Sequence, residues 1–127
     1  MRKGYDIIAL KGKKRKEIKM NVLTAKYEMT EDTLKVTLSG EIDHHSAKEA
    51  REEIDRQIYE TGARTVYLDL KSVGFMDSSG LGLILGRYTH VKEMGGTLKI
   101  LNPGRSAERV LRLAGTDKII PIERTEE

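Results

Sequence analysis

The sequence predicts an α/β fold, with three main helices covering a β-sheet of about four to five strands. The first observation is the order of segments, ββαβαβα, which is typical of a helix-covered sheet with right-handed crossovers. The second is that residues 65–70 and 97–101 are short apolar runs of strand length, each followed by a helical pattern. The third is the length of 127 residues, which is enough for one domain with its own core.

The first two strands are predicted to form a hairpin. Residues 22–27 have strand composition, and residues 30–33 form a polar turn. Beyond the turn, the apolar residues Leu34, Val36 and Leu38 alternate with polar ones, which indicates a half-buried strand.

The first helix is predicted to have Ser46 as its N-cap, because Ser46 and Glu49 have the spacing of a capping box. Gly62 is expected to end it. One apolar stripe follows the helical period and consists of Ala47, Ala50, Ile54 and Ile58.

The central strand, residues 65–70, is predicted to lead through a short connection, residues 71–75, into a glycine-rich helix. That helix is expected to run from about Ser79 to Gly95 and Gly96. Its predicted buried face consists of Leu81, Ile84, Leu85, Tyr88 and Val91.

The last part of the chain predicts one more strand, one more helix and an edge strand. Residues 97–101 form the strand, and residues 106–114 form the helix, which Gly115 closes. Residues 119–122 are at most an edge strand, because Pro121 has no N–H to donate to a ladder.

Charge is distributed unevenly along the chain. Residues 1–19 hold eight basic and two acidic residues, a net charge of +6, so the remainder carries −3. We expect residues 1–19 to be a flexible, solvated extension or an addition at the start of the chain. We expect residues 20–123 to form the domain and residues 124–127 a short tail. A nucleic-acid contact through the extension is disfavoured, because a single short basic run lacks interleaved aromatic residues and a binding fold.

The composition also excludes several classes of protein. The chain has no cysteine, so it has neither disulfides nor thiolate metal sites. Its longest early apolar run, residues 7–10, is far shorter than the ~20 residues of a membrane span. These features predict a cytoplasmic protein without membrane contact, and no cofactor is expected.

The turn at residues 76–82 is the most informative segment, because it links the central strand to the glycine-rich helix. Ser78 is placed at the helix start, where backbone N–H groups lack partners and the helix dipole is positive. A hydroxyl there is exposed, and a phosphate there is electrostatically favourable. We therefore interpret Ser78 as a phosphorylation site and not as a catalytic nucleophile.

Three enzyme classes are disfavoured by the motifs. A nucleophile elbow needs G-x-S-x-G, but this turn has the sequence Met-Asp-Ser-Ser-Gly. The spacing of the three histidines does not relate any of them to Ser78 as a triad base. No glycine pair has the Walker spacing followed by lysine.

Two further features have more than one interpretation. The glycine-rich helix contains Gly80, Gly82 and Gly86, and each costs about 1 kcal/mol relative to alanine in a helix interior. Either the sheet or a partner protein is therefore expected to approach the helix closely. The segment at residues 41–45 contains two adjacent histidines, yet adjacent residues rarely chelate one ion and no third ligand is near. We expect a structural or partner-contact loop there and no metal, at the same end of the sheet as Ser78.

Residues 75–82 resemble the phosphorylation motif of the anti-sigma factor antagonists, a family of STAS domains. Residues 41–47 and 84–88 are similar to the sporulation branch of that family, whose members act on an anti-sigma F factor. The resemblance covers residues 20–123 and implies a STAS-type fold with a mixed sheet. The basic extension has no counterpart in the family pattern.

The resemblance also implies a function and its partners. The unphosphorylated antagonist would bind an anti-sigma factor that is itself an ATP-dependent serine kinase, and so free the sigma factor for transcription. Phosphorylation of Ser78 would end the binding, and a metal-dependent serine phosphatase would restore it. The implied partner-binding residues are Asp43, His44, Asp77, Ser79, Gly80, Leu81 and Gly82. The alternatives are a stress-response antagonist, a STAS scaffold, or a nucleotide- or nucleic-acid-binding module that uses the basic extension.

Overall fold

The computed structural model describes residues 5–10 and 13–125. The described residues form seven β-strands, three α-helices and one 3₁₀ turn. The strands are β1 (Tyr5–Leu10), β2 (Lys13–Lys19), β3 (Leu23–Thr30), β4 (Thr33–Ile42), β5 (Thr65–Met76), β6 (Thr97–Leu101) and β7 (Ile122–Glu123). The helices are α1 (His44–Thr61), α2 (Ser78–Glu93) and α3 (Arg105–Leu113), and the 3₁₀ turn is Thr116–Lys118.

The strands form one mixed sheet in which spatial order equals chain order, β1 to β7. Strands β1 to β4 are an antiparallel meander. Strands β4 to β7 are parallel, and a helix connects each to the next. The carboxyl ends of β4, β5 and β6 therefore lie at one edge of the sheet. The predicted α/β class with three helices is confirmed, whereas the predicted four to five strands are too few.

The core lies between the sheet and the helices. Helix α1 packs on β3 and β4, α2 packs on α1, β5 and β6, and α3 packs on β5. Alternate strand residues point into this layer, and each fully buried aliphatic side chain contributes about 1.5–3 kcal/mol. The largest buried side chains include Leu34, Leu38, Ile54, Ile58, Leu68, Leu70, Ile84, Leu98 and Ile100.

The N-terminal segment differs from the expected flexible extension. Within residues 1–19, the structure describes 5–10 and 13–19, and both stretches are strands that extend the sheet. Ile18 and Met20 are buried. Arg15 forms an ion pair of 2.9 Å with Glu28, the residue that faces it on β3. A run of basic residues thus forms a strand because backbone pairing with β3 and the burial of Ile18 outweigh its hydrophilic composition.

Strand β5 is longer than predicted and includes residues 71–75, which we expected to be a connection. Its pairing with β4 shifts register twice, between Thr37 and Ser39 and between Gly40 and Glu41. At the first shift, the carboxylate of Asp69 accepts a hydrogen bond of 3.0 Å from the backbone N–H of Lys71. Because the irregular pairing breaks the alternation of apolar and polar residues, the sequence pattern predicts that the strand ends earlier than it does.

The remaining boundaries agree with the sequence to within a few residues. Helix α1 ends at Gly62, which has a positive φ of 64°, as predicted. Pro121 lies just outside the two-residue edge strand β7. Within the part of the chain that the structure describes, none of the helices combines the length and apolar composition of a membrane span.

Candidate functional site

Helices α1 and α2 begin side by side, because the strands that precede them are paired at their ends. Ile42 at the end of β4 is in register with Met76 at the end of β5. The backbone N–H of Asp77 then donates to the carbonyl of Ile42 at 3.2 Å. This pairing places the segment at residues 41–45 at the same sheet edge as Ser78, as expected.

Ser78 is the first residue of α2, one residue earlier than predicted. Asp77 is the N-cap, and its carboxylate accepts a hydrogen bond of 2.8 Å from the backbone N–H of Ser79. Ser78 is exposed, and its hydroxyl has no hydrogen-bond partner among the described residues. Met76 and Gly80 on either side are buried. The structure therefore presents a free hydroxyl on a firmly anchored turn.

Asp43, and not Ser46, caps helix α1. The Asp43 carboxylate accepts hydrogen bonds from the backbone N–H groups of His45 (3.1 Å) and Ser46 (3.0 Å). The Ser46 hydroxyl in turn accepts a hydrogen bond of 2.9 Å from the backbone N–H of Asp43, which completes a capping box one turn earlier than predicted. The amide of Ser46 is the main reason that the pKa of Asp43 is lowered. The Asp43 carboxylate is thus engaged in the cap, and His44 and His45 lie in the first turn of α1.

The three helical glycines play different roles. A Cβ atom on Gly80 would lie 2.3 Å from Cγ of Met76, so Gly80 permits the helix to pack on the buried turn. A Cβ on Gly82 or Gly86 would meet no atom within 4 Å. Close packing on the sheet therefore explains why position 80 is a glycine. No contact within the described residues requires glycine at positions 82 and 86. Leu81 is half-buried against the core.

A groove of about 280 Å³ lies between α1 and α2 beside the turn. Lys48 and Arg51 are exposed on its α1 side, and within the described residues neither forms an ion pair. The groove was not predicted from the sequence, although the spacing of residues 44, 48 and 51 follows one face of a helix and could have indicated it. The residues that line it are His44, Ala47, Lys48, Arg51, Ser79, Gly82 and Leu83.

A buried ion pair joins the same two helices further along. Arg87 is 6% exposed, and its Nε lies 2.7 Å from Oδ1 of Asp55, without the direction of a hydrogen bond. Burial is the main cause that lowers the pKa of Arg87, and Asp55 opposes that shift. The predicted buried face of α2 missed both Leu83 and Arg87. A charged residue in an apolar stripe gives no signal of burial until its partner on another helix is known.

No metal centre forms in the described part of the chain, where three His, Cys, Asp or Glu side chains nowhere cluster in a way that could hold an ion. The rings of His44 and His45 contact each other edge to face, with centroids 5.6 Å apart. Of the sequence-predicted site residues, the structure brings His44, Ser79 and Gly82 to the groove. It places Asp43 and Asp77 in the helix caps.

Comparison with known proteins places this chain in a family. Residues 24–127 match the family model described as STAS domain. The anti-sigma F factor antagonist of Paenibacillus polymyxa is 41% identical over 87 residues, which cover 68% of this chain and 74% of that protein.

Two solved structures are also similar. The anti-sigma factor antagonist SpoIIAA in its unphosphorylated form has a TM-score of 0.71 and 31% identity, over 81% of this chain and 89% of that chain. The Bacillus cell fate determinant SpoIIAA in the phosphorylated form has a TM-score of 0.66 and 31% identity, over 81% and 92%. The resemblance of the chain to the anti-sigma factor antagonists is thereby confirmed. The chain belongs to the STAS domain family, among its anti-sigma factor antagonists.

Proposed function

We propose that this chain is a partner-switching antagonist controlled by phosphorylation of Ser78. The unphosphorylated form binds an anti-sigma factor and frees the sigma factor. That anti-sigma factor is a serine kinase, which transfers the terminal phosphoryl group of ATP to Ser78 Oγ as the hydroxyl loses its proton and ADP leaves. A metal-dependent serine phosphatase hydrolyses the phosphoester. The chain itself catalyses none of these steps.

The exposed, unpartnered hydroxyl of Ser78 is the observation that carries the proposal. A kinase must reach the acceptor oxygen, and Ser78 is exposed while Ser79 is half-buried. The backbone N–H of Ser79 is held by the Asp77 carboxylate, so the turn keeps its shape when a partner approaches. A similar solved structure carries the phosphorylated form of its protein, which supports the same chemistry here.

Phosphorylation is expected to act on the partner and not on the fold. A phosphoserine carries about −1.5 to −2 charges, and a helix N-terminus favours such a group by about 0.3–1 kcal/mol. The domain should therefore remain folded. A coupling of about 2–3 kcal/mol through like charge or lost fit would weaken binding roughly 30- to 150-fold.

The proposed contact surface comprises the residues around Ser78. His44 and Gly82 are exposed there, and the missing side chain at Gly82 lets a partner approach the α2 backbone closely. Gly80 and Leu81 would act through the packing of the turn, because both are turned toward the core. Asp43 and Asp77 would act by fixing the two helix starts.

The test is incubation with ATP and a cognate anti-sigma kinase, followed by intact mass measurement and peptide mapping. We expect a single phosphoryl group on Ser78, none on Ser78→Ala, and normal modification of the matched control Ser79→Ala. Label on Ser79 in the wild-type chain would contradict the assignment of the acceptor. Absence of any label with a kinase that binds the chain would contradict the switch.

A further inference from the structure

Two cations that line the groove between α1 and α2 form no ion pair among the described residues. Lys48 and Arg51 lie one turn apart on α1 and line the groove that faces α2. Three other charged residues of α1 are paired, since Arg56 contacts Glu53 at 3.0 Å and Asp55 contacts Arg87. Lys48 and Arg51 form no such pair among the described residues, which leaves them available for an anion.

The groove lies within reach of a group attached to Ser78. Gly82 lines the groove and lies four residues after Ser78, so the two positions are neighbours on one face of α2. No side chain stands at Gly82, and even a Cβ there would meet open space. Helical side chains lean toward the helix N-terminus, and α1 and α2 begin at the same sheet edge, so the long side chains of Lys48 and Arg51 can reach toward a phosphoryl group on Ser78 Oγ.

Two carboxylates already lie at this edge, so a dianion there is stabilised further by nearby cations. The carboxylates of Asp43 and Asp77 cap α1 and α2 and lie at the same edge. Both would repel a phosphate. On the other side, α3 also approaches the turn, since the backbone N–H of Met76 donates to the Ser106 hydroxyl at 3.3 Å. Arg105, the exposed first residue of α3, is therefore the competing cation.

We infer that Lys48 and Arg51 bind the phosphoryl group of phosphorylated Ser78 within the same molecule, across the groove between α1 and α2. The inference rests on the proposed function only in requiring a phosphate on Ser78. In the phosphorylated state the groove is occupied and its cations are neutralised. The partner then loses both the free hydroxyl and the basic groove, and a phosphatase must draw the phosphate away from the two side chains.

The experiment measures the second ionisation of the phosphate. Phosphoserine is incorporated at position 78 of the full chain during translation, so no kinase is needed, and the phosphorus NMR signal is titrated with pH. A free phosphoserine has a second pKa of about 6. Two nearby cations favour the dianion, so replacing both should raise this pKa by about half a unit or more. We therefore expect that rise in the double variant Lys48→Gln and Arg51→Gln.

His44 also lines the groove, and its ring nitrogens can hydrogen-bond to a phosphate. All of the variants are therefore compared in a His44→Gln background, so that the histidine contributes to none of the measured shifts.

Matched variants separate the groove from a general change of charge. The variant with Lys48→Arg and Arg51→Lys keeps both charges and should titrate as the parent does. Arg109→Gln, on the exposed face of α3, should leave the phosphate pKa unchanged. An unshifted pKa in the glutamine double variant would overturn the inference, as would an equal shift with Arg109→Gln. A larger shift with Arg105→Gln would overturn it by assigning the phosphate to α3.

Discussion

Replacing Gly82 with alanine separates the stability of helix α2 from its contact with a partner. Alanine is favoured over glycine by about 1 kcal/mol in a helix interior. The new methyl group would meet no atom within 4 Å, so no packing term opposes this gain. We expect Gly82→Ala to stabilise the domain by about 0.5–1 kcal/mol and to raise Tm by about 3–5 °C.

The same methyl group should weaken binding to the anti-sigma factor. If a partner packs directly on the α2 backbone, an added methyl group overpacks the interface and weakens binding by about 1–3 kcal/mol. That corresponds to affinity at least about fivefold lower. The assay combines urea denaturation of the free protein with calorimetric titration of the partner.

Gly80→Ala is the matched control on the opposite face of the helix. Its Cβ would lie 2.3 Å from Cγ and 2.6 Å from Sδ of the buried Met76 side chain. The overpacking of about 1–3 kcal/mol exceeds the gain in helix propensity, so this variant should lose up to about 2 kcal/mol. The reasoning would be refuted if Gly82→Ala were destabilised, or if it bound the partner as tightly as the wild type.

Three further predictions concern the anchors of the site. Asp77→Ala should lose about 1 kcal/mol of stability in urea denaturation, because the Ser79 amide loses its acceptor; equal stability would contradict the cap. Asp43 has a lowered pKa in the folded state, so its ionised form stabilises the protein above pH ~4 and this contribution disappears on acidification. The urea midpoint of Asp43→Asn should therefore converge with that of the wild type as pH falls from 7 to 2, and a constant difference would contradict this. Asp55→Ala should lower the free energy of unfolding by about 2–4 kcal/mol, because it leaves Arg87 buried and unpaired. This loss is smaller than for a fully buried pair, because Asp55 is partly exposed. A loss below about 1 kcal/mol in urea denaturation would refute the pair's importance.

The sequence predicted the parallel half of the fold well. Residues 65–70 and 97–101 are apolar enough to be recognised as strands, and Gly62 marks the end of α1 by its left-handed conformation. The position of Ser78 at a strand-to-helix turn also followed from local pattern, because an apolar strand precedes residues 76–82 and a glycine-rich helical pattern follows.

Features that depend on distant partners were not predicted. The basic segment forms strands because it pairs with β3, where Glu28 faces Arg15, and composition alone describes it as solvated. The cap of α1 is Asp43 because β4 ends at Ile42, one turn earlier than the serine motif suggested. The burial of Arg87 and the basic groove both arise from the packing of α2 on α1.

The most direct measurement compares the affinity of unphosphorylated and Ser78-phosphorylated protein for the anti-sigma factor, together with the unfolding free energy of each form. We predict that phosphorylation weakens binding roughly 30- to 150-fold while the folded state is as stable as before or slightly more so. Equal affinity of the two forms, or weaker binding that arises because the phosphorylated domain unfolds, would contradict the proposed switch.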